Sequence, residues 1–176
     1  MIDRRAFLVG TAAALAWPVA RALADVEPAR APGGSAAERD ALLKKSGLVY
    51  VSPLLGDGRE STCHGEVWFG WIDGAVVVIT AASTWKGRAL DRGLDGARIW
   101  VGDHGPWKRM IGYNESFRQS PHFDARAVSV RDDALLERLL ALYEQKYPAE
   151  IGRWRDKMRA GYRDGSRLLI RYVPVS

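Results

Sequence analysis

One cysteine and three histidines, Cys63, His64, His104 and His122, are all that this 176-residue chain offers of the residues that staple a fold or bind a transition metal. A single cysteine excludes an intramolecular disulfide, so the fold has to stand on its core alone. The adjacent Cys63-His64 pair has no second Cys or His at ligand spacing, and His104 and His122 are isolated, so no metal site is expected. After the N-terminal segment no apolar run approaches the roughly 20 residues that span a bilayer. Long blocks of like charge are missing too: 26 Lys and Arg face 21 Asp and Glu, scattered along the chain, for a net charge of +5. The aromatics sit mostly in strand-like apolar runs, which argues against a nucleic-acid platform.

The N-terminus has the form of a targeting segment. Arg4-Arg5-Ala6-Phe7-Leu8 precedes an alanine-rich apolar stretch through Ala20, and Ala22-Leu23-Ala24 offers small residues to a signal peptidase. The arginine pair followed by Phe-Leu resembles the twin-arginine export signal, with Asp3 where that signal usually has Ser or Thr. The resemblance implies a periplasmic or otherwise exported protein, moved after folding and often after cofactor insertion. The expected layout is a signal peptide over 1–24, a flexible Pro- and Gly-rich leader over 25–34, and one domain over 35–176. Removing 24 residues leaves 152, enough for a single domain with a core. Arg4, Arg5 and Arg21 against Asp3 account for +2 of the charge, so the mature chain carries about +3 of mixed-sign surface.

Along the domain the hydrophobic period changes several times. Ser35-Ala36-Ala37-Glu38 has capping-box spacing and predicts a helix to Ser46, with Leu42 and Leu43 docking it. Leu48–Val51, Glu66–Trp71, Ala75–Thr80, Ala97–Val101, Phe123–Val130 and Ser166–Val173 read as strands, separated by turn signals such as Asp57-Gly58 and Asp73-Gly74. Asp132 and Asp133 can cap a helix whose apolar positions Leu136, Leu139, Leu140, Tyr143 and Tyr147 recur every three or four residues until Pro148. A weaker helical pattern covers Ile151–Arg159, and Trp107–His122 is the least readable stretch. The expected fold class is α+β: an antiparallel barrel, closed or nearly closed, of about six strands with two or three packed helices.

One segment carries chemistry. The apolar run ending at Thr80 leads into Ala81-Ala82-Ser83-Thr84-Trp85-Lys86-Gly87-Arg88, where hydroxyls, loop amides and two cations converge within nine residues. Phosphate binding needs such donors and a fixed positive charge with little bulk in the way. The alternative for Lys86 and Arg88 is a pair of solvated charges after a strand, and for Trp68, Trp71 and Trp100 a place in the core. Thr80, Thr84 and Lys86, with strands at Leu48–Ser52, Val67–Phe69 and Val76–Thr80, resemble the flavin-binding split-barrel family that includes pyridoxamine 5′-phosphate oxidase. The order of elements matches over roughly residues 47–173.

That resemblance implies an antiparallel split barrel that binds FMN through Thr80, Ser83, Thr84, Trp85, Lys86 and Arg88, in a homodimer, and uses it for redox chemistry on a small molecule. The oxidase has an arginine where this chain has Trp85, and further basic residues where it has Val67-Trp68-Phe69, so the cofactor class is implied and not oxidation of pyridoxamine phosphate. Deazaflavin (F420) is the nearest variant. A non-catalytic module that carries flavin or haem, or an interaction module without cofactor, is the competing class, with His64, His104 or His122 as the haem ligand. No catalytic acid–base pair is evident in the sequence.

Overall fold

The computed structural model describes residues 35–108 and 110–175; the expected signal peptide and leader lie outside the described residues. In chain order the elements are α1 (Ala36–Lys45), β1 (Val49–Pro53), β2 (Gly65–Val67), β3 (Gly70–Ile72), β4 (Ala75–Ala81), α2 (Trp85–Asp91), β5 (Gly96–Val101), β6 (His122–Val130), α3 (Asp133–Lys146), α4 (Arg155–Asp164) and β7 (Arg167–Pro174). Two single turns of 3-10 helix, Ser116–Gln119 and Ile151–Arg153, join them. The seven strands form one antiparallel sheet in the order β2-β1-β5-β6-β7-β4-β3.

That order dictates the curl. β2 and β3 are the two edges of the sheet, yet only Trp68 and Phe69 separate them in sequence. A two-residue link spans less than about 11 Å, so the edges must meet and the sheet rolls into a half-barrel. Because β2 and β3 are not hydrogen-bonded to each other, the barrel is split there. The stretch Glu66–Trp71, expected as one strand, is therefore two. A single continuous strand could not serve both edges. The remaining backbone groups of the link are satisfied by α3: Tyr143 O–H donates to the Trp68 carbonyl (2.7 Å), Lys146 Nζ to the Phe69 carbonyl (3.2 Å), and Phe69 N–H to Tyr147 Oη (3.2 Å). Tyr147 O–H in turn donates to the Gly47 carbonyl (2.6 Å), tying the end of α1 to the same point.

Strand alternation divides the core. Val49, Val51, Val76, Val78, Ile99, Ala125, Ile170 and Tyr172 fill the concave face. Val77, Ile79 and Leu169 point the other way, under Leu135, Leu136, Leu139, Leu140 and Tyr143 of α3 and Met158 and Tyr162 of α4. The convex face over β1 and β5 carries a third cluster, Tyr50, Trp100 and Phe117, with Trp107 beside it. Gly70 lets α3 lie close: a Cβ there would meet Leu139 Cδ1 at 2.9 Å.

Local signals behave as their chemistry requires. Ser35 and Glu38 form the reciprocal capping box, and Asp132 accepts from Leu135 N–H (2.9 Å) at the start of α3. Asp73 and Gly74, with φ of 49° and 70°, make the two-residue turn joining β3 to β4. In α1 only Leu43 is buried; Leu42 is exposed, because residues one apart on a helix diverge by 100°. Cys63 is exposed rather than a core hydrophobe.

Candidate cofactor site

β4 ends at Ala81 and the chain turns through Ala82, Ser83 and Thr84 into α2. Thr84 N–H donates back to the Ala81 carbonyl (3.0 Å), and Ala82 N–H to the Ser166 carbonyl (2.8 Å), which fixes the turn to the start of β7. Gly87 makes the turn possible. A Cβ there would lie 2.2 Å from the Ala82 carbonyl oxygen, a distance no side chain tolerates, so α2 folds back against its own entry only with glycine at this position.

The six residues singled out in the sequence separate into two groups. Trp85 and Lys86 face the concave side of the sheet, where they line a shallow pocket with Val51, Leu90, Ala97 and Tyr172, partly open to solvent. The others do not line it. Thr84 Oγ1 donates to the Ala81 carbonyl (2.8 Å) and lies 3.3 Å from Thr80 Oγ1, so these hydroxyls already serve the turn. Ser83 is exposed, and the exposed Arg88 donates to its carbonyl. Two residues apart on a helix are about 200° apart around its axis; this puts Arg88 away from the face that Lys86 presents, so the expected pair of converging cations is one.

Lys86 is unusual among the cations of this chain. It is 9% exposed, and its ammonium has no hydrogen-bond or ion-pair partner among the described residues. The Nζ sits 4.4 Å from the centroid of the Trp85 ring, beside the bare Cα of Gly65, where a Cβ would be 3.7 Å from it. Burial pulls its pKa down from 10.5 to about 8, with the Glu66 charge opposing the shift. A largely buried cation with no direct ion pair, the Glu66 charge acting only from a distance, is costly, and an anion arriving in the pocket would relieve that cost.

A second polar cluster, absent from the sequence reading, lies on the convex face. The Glu60 carboxylate takes Arg98 Nη1 (3.2 Å) and Arg118 Nη1 (2.9 Å), and Arg98 also forks onto Asp124 at 2.7 and 3.0 Å. Arg118 Nη2 is 3.0 Å from His64 Nε2. A guanidinium only donates, so that nitrogen accepts, and the ring proton sits on Nδ1, donating to Ser52 Oγ at 2.6 Å. Burial first, and the Arg118 charge second, lower the His64 pKa, which keeps the ring neutral. In this tautomer His64 cannot draw a proton from Ser52, so the buried Ser–His contact is structural. The signal that could have revealed it is the alternation that points Tyr50, Ser52, Arg98 and Trp100 to one face.

None of the three histidines lines the Lys86 cavity. His64 has both ring nitrogens engaged, His104 Nε2 is 2.5 Å from Ser120 Oγ, and His122 packs on Trp100 with ring centroids 4.2 Å apart. Trp68 stacks on Tyr147 (4.3 Å between centroids) in the core beneath α3, and Trp100 stands in the convex cluster, so both are core residues.

With this geometry in view, similarity to solved structures settles the architecture. HutZ, the heme storage protein from Vibrio cholerae, superposes with a TM-score of 0.53 at 16% identity, over 80% of this chain and 89% of that one. A FAD-binding protein from Mesorhizobium loti gives 0.51 at 12% identity, over 81% and 91%. The fold is a split barrel. A conserved hypothetical protein from Mycobacterium tuberculosis shares it as well, at a TM-score of 0.54 and 18% identity, over 82% of each chain. No protein-family model and no curated protein matches the sequence. At such identities the likeness establishes the fold, and the site must be argued from this chain's own residues.

Proposed function

We propose that this split barrel binds an anionic redox cofactor, FMN, with its phosphate end at Lys86, and uses it for oxidation or reduction of a small molecule outside the cytoplasm. The observation that carries this reading is the largely buried Lys86, whose ammonium has no hydrogen-bond or ion-pair partner among the described residues, at the wall of an apolar pocket. Fold neighbours that hold heme and FAD make a cofactor a natural occupant of this architecture. The residues present fit one end of such a group: Lys86 supplies charge and Trp85 an aromatic wall. The enclosed part of the pocket, about 10 Å3, is no larger than a water-sized group needs, so it marks an anchoring point for the anionic end of a flavin and does not enclose its ring system.

When bound, the flavin ring would supply the hydride or single-electron chemistry. The chain's own residues hold and orient it. Lys86 neutralises the anion in a site where water is scarce and the attraction is correspondingly strong. Gly87 keeps α2 tight against the turn so that Lys86 stays aimed inward, and the Thr80–Thr84 contact holds the turn's shape. Flavin is favoured over haem because the histidine nitrogens described above are engaged or stacked away from the cavity.

The test is the visible spectrum of the full chain purified after expression with its N-terminal segment, with mass analysis of any released small molecule. The expected result is a flavin spectrum and an FMN mass. A deazaflavin mass would change the cofactor, and a haem band would contradict the reading. Changing Arg4 and Arg5 to Lys is expected to trap the precursor inside the cell. Continued export would indicate the route for unfolded chains.

A further inference from the structure

The convex face holds a buried titratable group that the cofactor reading leaves unused. His64 is 5% exposed, and charged side chains face it from several elements. Arg118, on the 3-10 turn Ser116–Gln119, lies 3.0 Å from its Nε2. Glu60 lies 3.9 Å from its Nδ1 and also takes Arg118 and, from β5, Arg98. Asp124 of β6 holds Arg98 as well, and Glu115 holds Arg118. His122, at the start of β6, packs on Trp100 and feels the same Arg98, Asp124 and Glu60 charges. Ser52 of β1 adds an uncharged contact at 2.6 Å.

The turn that carries Arg118 also covers the apolar cluster over β1 and β5. Phe117 is fully buried, stacked on Tyr50 (4.7 Å between centroids, 9°) and edge-on to Trp100 (5.8 Å, 78°). The backbone bonds of the turn are local: Arg118 N–H donates to the Glu115 carbonyl and Ser120 N–H to the Phe117 carbonyl, both at 3.0 Å. The side chains of Phe117 and Arg118 are therefore what fasten it to the strands.

We propose that the contact between Arg118 and His64 is an acid-released latch: it is closed while the imidazole is neutral, and a proton on Nε2 opens it, freeing the turn and uncovering Tyr50 and Trp100. The neutral ring offers Nε2 as an acceptor. A guanidinium has donors only, so a protonated Nε2 would set N–H against N–H and charge against charge at 3.0 Å. The carboxylates soften this conflict without removing it. An imidazolium would draw on Glu60, which then serves three cations; Arg98 keeps Asp124, and Arg118 can leave with Glu115, which sits on the same segment. Burial acts in the same direction, because a ring this enclosed resists charge and an open turn lets water reach it. The His64 pKa is accordingly held below the ordinary 6.5 by burial first and by Arg118 second, with Glu115 and Glu60 opposing. The sign follows from proton counting. With the turn open the ring takes up its proton at higher pH than with the turn closed, so opening is favoured as pH falls below about 6.5 and is unaffected well above it. The latch lies on the opposite face of the sheet from the Lys86 pocket, so it does not rest on the cofactor reading.

Hydrogen exchange of the full chain at pH 8 and pH 5, the range over which a histidine changes charge, tests it. Rates are compared as protection factors, which remove the intrinsic pH dependence of exchange. From pH 8 to pH 5 the Arg118 and Ser120 amides of the wild type are expected to lose about tenfold in protection, while those of β4 and β7 hold theirs. His64→Gln keeps an acceptor for Arg118 and cannot be charged, so its turn is expected to be equally protected at both pH values. Arg118→Met, at an exposed position, removes the other half of the latch, and its turn is expected to exchange fast at both. His122→Gln is expected to keep the wild-type loss. A wild-type turn equally protected at both pH values would overturn the proposal, and so would a loss that persists in His64→Gln or Arg118→Met. A loss abolished by His122→Gln, or shared by β4 and β7, would overturn it as well.

Discussion

Replacing Lys86 with methionine separates the needs of the fold from those of the site. Methionine keeps the stem and removes the charge. Folding lowers the Lys86 pKa from 10.5 to about 8, which at about 1.4 kcal/mol per unit costs the ligand-free protein about 3 kcal/mol at neutral pH. The sign follows from proton counting. Between pH 8 and 10.5 the unfolded lysine keeps its proton and the folded one releases it, so the stability of the wild type climbs through that window. Below pH 8 both forms are protonated and the full cost persists; above 10.5 both are neutral and it vanishes. Lys146 is also lowered to about 8 by burial and titrates in the same window, so the difference between wild type and variant isolates Lys86. Allowing about 1 kcal/mol for imperfect repacking, Lys86→Met is expected to gain about 2 kcal/mol at pH 7. That corresponds to roughly 4–8 °C in Tm for a domain of this size. The gain should fade by pH 11. The assay is urea unfolding of ligand-free protein at a series of pH values. A variant less stable than wild type at pH 7, or an advantage independent of pH, would refute the idea that Lys86 is an uncompensated buried cation.

Three further substitutions probe the scaffold. Gly87→Ala drives a methyl into the Ala82 carbonyl oxygen and is expected to cost about 3 kcal/mol in denaturant unfolding and to weaken cofactor retention; wild-type stability would mean that α2 is less tightly folded back. Glu60→Gln leaves Arg98 and Arg118 without their shared, largely buried carboxylate and is expected to cost about 3 kcal/mol, read the same way, with Lys86-dependent ligand binding unchanged. Tyr147→Phe removes the hydroxyl that bridges Phe69 N–H and the Gly47 carbonyl and is expected to cost about 1–3 kcal/mol, with faster hydrogen exchange at Phe69 as the local sign.

Where a residue's local chemistry decides its conformation, the sequence was enough. Ser35 with Glu38, Asp132 before the leucine stripe of α3, and Asp73-Gly74 between two strands each specify a cap or turn through their own atoms, and each stands where expected. The strand at Ala75–Ala81 and the turn into Trp85-Lys86 were legible for the same reason. What needed coordinates was long-range. Nothing in Glu66–Trp71 reveals that it joins opposite edges of one sheet, because that follows from pairings among the other strands between residues up to 96 apart. The convergence of Glu60, His64, Arg98 and Arg118 depends on residues up to 58 apart in sequence. Arg88 was misplaced by reading spacing without the helical turn that carries it round to solvent.

Binding of FMN by the full chain, titrated calorimetrically at pH 7 with wild type, Lys86→Met and Lys108→Ala in parallel, bears most directly on the central claim. Lys108 is an exposed cation on the loop between β5 and β6, so its variant is expected to match wild type, whereas Lys86→Met should bind at least tenfold more weakly while remaining folded and stable. Equal affinity across all three proteins, or no FMN binding by any of them, would contradict the assignment of the cavity beneath α2 as an anion-holding cofactor site.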